Sequence, residues 1–308
     1  MRLLRTPDDR FEDLPDFDYE PRYADLEDPN GGVLRLAYVE AGPADAPAVL
    51  LLHGEPSWSY LYRKMLPVLA AAGLRAIAPD LVGFGRSDKP ADIVDHTYER
   101  HVEWMRALAF DVLDLTDVTL LGQDWGGLIG LRLVAENPER FAGVVAANTG
   151  LPTGDQQMPD AWWAFHDAVE NAQVMDIARF IQSGSRTELP EQVRDAYDAP
   201  FPNEMYKAGP RAMPNLVPTD AKDPAADANR FAWAKLTSME IPFLCAFSDS
   251  DPITGPMGSV LQRTMRGAQE LEHPTITGAG HFLQEDAGQR LAEVVADFVR
   301  TKVVPSAG

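Results

Sequence analysis

Residues 120–130 read LLGQDWGGLIG, which sets an aspartate, Asp124, at the tip of a glycine-flanked turn. The outline is that of the G-x-S-x-G elbow, a strand-to-helix turn that displays a serine. A carboxylate in the same place has a different chemistry. With a reference pKa of about 3.9 it carries its charge at neutral pH, whereas a serine needs a base to remove its proton. It therefore suits displacement at a saturated carbon that offers no carbonyl. The product of such a step is an ester of Asp124, whose own carbonyl then becomes open to water. A base for that water is offered by His281, in TGAGHF, and a partner to fix the imidazole tautomer by Asp251, in SDSDP. Taken singly, each has a plain structural explanation. Aspartate in a glycine-rich turn is commonly a turn former, Asp251 before Pro252 can initiate a turn, and a histidine after a strand can simply be structural.

The elements that must hold these residues turn the argument toward function. The apolar runs in APAVLLLHG (46–54), LRAIAPDLVGFG (74–85), DVTLLGQ (117–123) and FAGVVAANTG (141–150) suit buried parallel strands. Helices are expected over 60–72, 98–115 and 127–137, so strands and helices alternate as in βαβ units. LRLAYVE (34–40) reads as a further strand. From about 151 the pattern changes to helical periodicity with many prolines, up to about 229. Strand patterns then resume in IPFLCAFSDSDP and HPTITGAGH, and QRLAEVVADFVRTKV reads as a closing helix. The expected organisation is an α/β core from 1–150, a helical cap at 151–229 and the remainder of the core at 230–308. Parallel sheets bind ligands at the carboxyl ends of their strands. Those ends carry His53 and Glu55, then Asp124 and Trp125, then Asp251, then His281. The order of nucleophile, acid and histidine is that of α/β hydrolases.

Composition narrows the partners. The 308 residues include 47 Asp and Glu against 27 Lys and Arg, a formal charge of −20. Such a field repels nucleic acid and anionic lipid. The lone cysteine, Cys245, sits in an apolar run and permits no intrachain disulfide. No 18-residue apolar run or signal-type N-terminus is present, so no membrane partner is expected and the cytoplasm is the default compartment. The six histidines lack metal-ligand spacing, and GQDWGG lacks the lysine of a phosphate loop. Neither metal nor cofactor is expected. The chain reads as a monomer or small homo-oligomer.

The segments HGEPSW (53–58), PDLVGFGRSDKP (79–90), QDWGGLIGLRL (123–133), DAPFP (198–202), SDP (250–252) and GHFLQED (280–286) together resemble the haloalkane dehalogenases. The likeness is strongest to the subfamily with an aspartate as triad acid and paired tryptophans for the halide, and it extends over almost the whole chain. The resemblance implies an α/β-hydrolase fold with a mostly parallel sheet and an inserted helical cap. It implies Asp124 as nucleophile, His281 as base and Asp251 as its partner, with the backbone N–H groups of Glu55 and Trp125 as oxyanion hole. The implied reactants are a small halogenated alkane and water, with alcohol and halide as products. Trp125 corresponds to one halide donor, and Trp162 is chosen as the second over the adjacent Trp163. Leu128, Phe165, Phe201 and Ile253 are candidates for an apolar substrate wall. Glu55 is expected to be protonated or to direct its charge away from the departing anion.

Two rivals share the motif set. An epoxide hydrolase uses the same nucleophile, acid and histidine but needs acid donors, commonly two cap tyrosines. Tyr197 and Tyr206 supply the inventory, although that family usually carries an aromatic residue where this chain has Glu55. A non-catalytic ligand receptor on the hydrolase fold is the rival from another class, and there a triad member is usually lost.

Overall fold

A computed structural model of the chain describes residues 1–28 and 32–304. Nine strands are described: β1 (Leu3–Leu4), β2 (Arg22–Glu27), β3 (Val33–Ala41), β4 (Ala48–Leu52), β5 (Arg75–Pro79), β6 (Lys89–Pro90), β7 (Val118–Gln123), β8 (Phe141–Ala147) and β9 (Phe243–Cys245). Seven of them form one sheet in the order β2-β3-β5-β4-β7-β8-β9. From β5 to β9 the pairs are parallel, while β2 and β3 add an antiparallel margin. The central strands are apolar on both faces, as a sheet covered by helices on each side requires. β7 is buried at every residue, whereas β2 alternates between exposed and buried, as a half-covered edge strand does.

The core helices are α1 (Leu66–Ala71), α2 (Tyr98–Arg106), α3 (Trp125–Glu136), α9 (Gly255–Thr264) and α10 (Leu283–Phe298). Between β8 and β9 lie α4 (Asp160–Asn171), α5 (Ile177–Gly184), α6 (Glu191–Asp198), α7 (Ala208–Leu216) and α8 (Ala226–Leu236). Within this segment α4 packs on α7 and α5 on α6, while α8 packs on α3. Residue 229 lies inside α8, where Asn229 meets Arg132 of α3. Among the described residues no helix is long and apolar enough to cross a membrane.

Three expected elements differ in detail. The helix foreseen over 60–72 is a 3-10 turn at Ser59–Tyr62 followed by α1, because Pro67 starts a new helix at its first turn. The helix over 98–115 opens into π-helical turns at Ala107–Val112. HPTITGAGH does not form a full strand. It keeps one parallel bridge, Ile276 to Ser248. Pro274 lacks a ladder donor, and Gly278 turns the chain away at φ 76°.

Candidate active site

Asp124 directly follows β7 and immediately precedes α3. Its backbone holds φ 51° and ψ −125°, a conformation costly for a non-glycine residue. The turn is tight enough that a Cβ on Gly126 would lie 1.9 Å from the Leu52 carbonyl oxygen. The strain is held by surrounding bonds. Asp124 N donates to Asn148 O at 2.9 Å, and Thr149 Oγ1 donates to Asp124 O at 2.7 Å. This geometry places Asp124 at the N-terminus of α3, the positive end of the helix, with its side chain bonding no N–H of that helix.

The carboxylate oxygens are held differently. Oδ1 accepts the Glu55 N–H at 2.9 Å, and Oδ2 lies 3.5 Å from His281 Nε2. On the far side of the ring, His281 Nδ1 is 3.0 Å from Asp251 Oδ2. Asp251 also accepts from Ile253 N at 2.9 Å and from the Thr254 hydroxyl. Burial works against charge on both partners, yet their mutual attraction prevails. The imidazole, flanked by Asp251 and Asp124, is raised to about 10, and Asp251 is lowered to about 2 by His281 and its hydroxyl and amide donors. Glu55 goes the other way. It is buried without a partner for Oε1, and burial together with the Asp124 charge pushes its carboxyl well above the usual range.

A cavity of about 650 Å³ opens over this group. Asp124, Trp125, Glu55 and His281 line it, as do Leu128, Phe165 and Ile253. Trp162 lines it too, while Trp163 is 40% exposed and points to no cavity wall. Trp125 and Trp162 share one property. Both are buried, and neither indole N–H has a protein acceptor among the described residues. The other two buried tryptophans donate, Trp58 to Ala196 O at 3.1 Å and Trp104 to Asp28 at 2.9 Å. Buried indoles ordinarily find an acceptor, so two lacking one in the same apolar cavity make a donor pair suited to an anion.

Phe201 lies outside the cavity. It is buried where the chain leaves α6, with its ring edge-on to Phe84 at 6.5 Å, so core packing takes the side chain that sequence position offered to substrate. Tyr197 and Tyr206 do not line the cavity either. Tyr197 is fully buried and donates its hydroxyl to Glu285, which leaves it unable to serve as a cap acid. His53 is structural: Nε2 accepts Leu81 N at 2.9 Å and Nδ1 bonds Gly54 O at 3.0 Å, fixing the turn before Glu55.

Sequence reasoning passed over Asn148. At the end of β8 its amide donates to Gly280 O at 2.8 Å and His281 O at 3.0 Å, and its oxygen accepts Ser248 N at 2.9 Å. It ties the end of β8 to the segment beyond β9 and to the His281 loop. The rule that found the others, a polar residue at the end of an apolar strand run, applies to it equally. Met257, Phe180 and Phe282 also line the cavity; only Phe282, beside His281, stood near a motif.

The sheet order and the turn that carries Asp124 define an α/β hydrolase, and a family model described as the alpha/beta hydrolase fold matches residues 47–287. Over 299 residues the chain is 51% identical to a haloalkane dehalogenase of Psychrobacter cryohalolentis, covering 97% of this chain and 98% of that one. It is 48% identical over 298 residues to a haloalkane dehalogenase of Mycolicibacterium paratuberculosis, covering 97% and 98% of the two chains. The chain belongs to the haloalkane dehalogenases. Among solved structures it resembles the tetrameric haloalkane dehalogenase DpaA of Paraglaciecola agarilytica, with a TM-score of 0.87, 35% identity, and coverage of 96% and 97%.

Proposed function

We propose that this enzyme hydrolyses haloalkanes through a covalent ester of Asp124, with residues 151–229 acting as the cap over the site. The observation that carries the reading is the pair of buried indoles, Trp125 and Trp162, free of protein acceptors in the cavity that holds an aspartate bonded to Glu55 N and facing His281.

In the first step Asp124 Oδ2, the oxygen not bound to Glu55 N, attacks the carbon opposite its halogen. The C–O bond forms as the C–X electron pair leaves with the halide. An anion gives up costly hydration on entering a dry pocket, and the two indole N–H groups compensate. Burial and the Asp124 charge push the Glu55 carboxyl toward its uncharged form, which opposes that departure less than an ionised carboxylate does. In the second step His281 Nε2 takes a proton from water, and the hydroxide adds to the Asp124 carboxyl carbon. Oδ1 then carries negative charge against the Glu55 N–H, which already bonds it before reaction begins, with the Trp125 N–H as the second donor of the proposed oxyanion hole. Collapse expels the alkoxide, which takes the proton from His281. The regenerated Asp124 acid loses its proton to solvent. The sum is alkyl halide plus water giving alcohol, halide and one proton.

The test is a His281→Phe variant mixed with a small bromoalkane. The intact mass is expected to rise by one alkyl group, mapped to Asp124. An unmodified protein that still releases bromide would sink the covalent route.

A further inference from the structure

The loop that carries His281 is held on two sides. Its carbonyl side is fastened to the core: Asn148 Nδ2 donates to Gly280 O and His281 O, and Gln123 Nε2 donates to His281 O at 3.2 Å. Its amide side is fastened elsewhere. Gly280 N donates to Asp286 Oδ2 at 2.8 Å, and Phe282 N donates to Gly184 O at 3.1 Å.

A carboxylate in the first turn of α10 that reaches back to an upstream N–H resembles half of a capping box. That explains the bond to Gly280 and nothing more. The same carboxylate also accepts Arg186 N on both oxygens, at 3.0 and 2.9 Å, and Thr187 N at 2.7 Å. These amides belong to the strap that follows α5, about a hundred residues away in sequence. Strap and loop are in close contact as well. A Cβ on Gly280 would lie 2.5 Å from Gly184 O, and one on Gly184 would lie 2.7 Å from the Phe282 ring. Gly184, Ser185 and Arg186 line one wall of the cavity beside His281. The preceding acid, Glu285, reaches the core and the helical segment in parallel, bonding Arg63, Lys64 and Tyr197. Bonds from backbone N–H groups to an ionised carboxylate belong to the stronger class.

We infer that Asp286 is a positioning residue, which locks the His281 loop to the 184–187 strap and thereby serves the hydrolytic half of the reaction. The inference rests on the covalent pathway proposed above. Its logic is that Asp286 anchors only one of the two half-reactions: Asn148 bonds both Asp124 N and the carbonyls of the His281 loop, whereas the bonds of Asp286 reach the loop and the strap alone. Alkylation needs Asp124, which is set by β7, α3 and the Glu55 N–H, and none of these touches Asp286. Hydrolysis needs His281 within hydrogen-bond reach of a water that is itself aligned on the ester carbon. A misplacement of order 1 Å in such an arrangement can cost about a hundredfold.

The experiment compares Asp286→Ala, Asp286→Asn, Gln182→Ala and His281→Phe. Gln182 stabilises the same strap internally, bonding Thr187 O at 3.1 Å and Leu189 N at 2.8 Å, without touching the His281 loop. In Asp286→Ala the first-turnover release of bromide is expected to stay within about twofold, while steady-state turnover falls by about tenfold to a hundredfold. Alkyl-Asp124 should then accumulate in the intact mass during turnover. Asp286→Asn keeps one acceptor oxygen and should fall between, which secures the test if the alanine variant folds poorly. Gln182→Ala should lower thermal stability without accumulation of alkyl-enzyme. The inference is overturned if both Asp286 variants slow first-turnover and steady-state rates by the same factor. It is equally overturned if neither accumulates alkyl-enzyme while His281→Phe does. If His281→Phe itself traps nothing, the covalent pathway fails and this inference falls with it.

Discussion

Replacing Asp124 by Asn removes one of the two anions that flank His281 and substitutes a neutral carbonyl, the electrical equivalent of the ester in the reaction. The size of the effect follows from the geometry. Asp124 Oδ2 and His281 Nε2 are 3.5 Å apart, and both side chains are largely buried. At an effective dielectric constant of about 20, opposite unit charges at that distance attract by about 4.7 kcal/mol. At about 1.4 kcal/mol per pH unit this amounts to a fall of roughly 3.5 in pKa. Starting from about 10, His281 in Asp124→Asn should titrate at about 6 to 7. On the proposed pathway the resting enzyme thus holds an imidazolium against Asp124, and alkylation would release that imidazole to act as a base near neutral pH. The assay is the titration of the labelled His281 ring by NMR in both proteins. A second readout is stability. A folded-state pKa raised above the unfolded value of about 6.5 stabilises fully below that pH. The contribution is lost as pH rises through about 10. The melting temperature of the unsubstituted enzyme should therefore decline between about pH 7 and 10 by this contribution, and that of Asp124→Asn should not. If His281 titrates near 10 in the Asn variant, or near neutrality in both proteins, the electrostatic reasoning is wrong.

Trp162→Phe should weaken halide binding by about tenfold or more, the worth of a hydrogen bond to a charge of about 1.5–3 kcal/mol. Trp163→Phe should leave it within about twofold; quenching of indole fluorescence by bromide measures both, and the reverse pattern would reassign the cap donor. Tyr197→Phe removes one donor from buried Glu285. It should cost about 1.5–3 kcal/mol and several degrees of melting temperature. Turnover of a bromoalkane should be unchanged, so a lost rate without lost stability would return Tyr197 to the chemistry.

Much of the fold was legible because buried parallel strands are apolar runs of limited length, and β4, β7 and β8 announce themselves that way. The margins were harder. β2 was missed because its half-exposed alternation RYADLE resembles a polar loop, and the run at 273–281 was read as a strand although one proline and one glycine dissolve most of its ladder. At the candidate site, Asp124, Asp251 and His281 were legible because each follows an apolar run in the sequence, where a chemical side chain has no packing reason to stand; in the fold Asp124 directly follows β7, while Asp251 and His281 stand in loops beyond β9 and the Ile276 bridge. Asn148 satisfies the same rule and was overlooked. Phe201 illustrates the opposite error, an aromatic whose position in a motif said nothing about the direction in which its ring points.

The sequence by itself determined which strand ends carry chemistry and in what order, since an apolar run followed by a polar residue is a local pattern. It also determined that the residue at the tip of the elbow is a carboxylate where the G-x-S-x-G pattern has a hydroxyl. Tertiary structure decided the properties that depend on neighbours remote in the chain. It set His281 between two anions and raised its pKa, buried Glu55 and pushed its carboxyl well above the usual range, and turned Tyr197 toward Glu285 and away from the cavity. It separated Trp162 from Trp163, one on the cavity and one toward solvent. It also brought Asp286 to a strap that no local pattern connects to it. Charge state and direction arise from burial and from partners far apart in sequence, and only the folded chain brings those together.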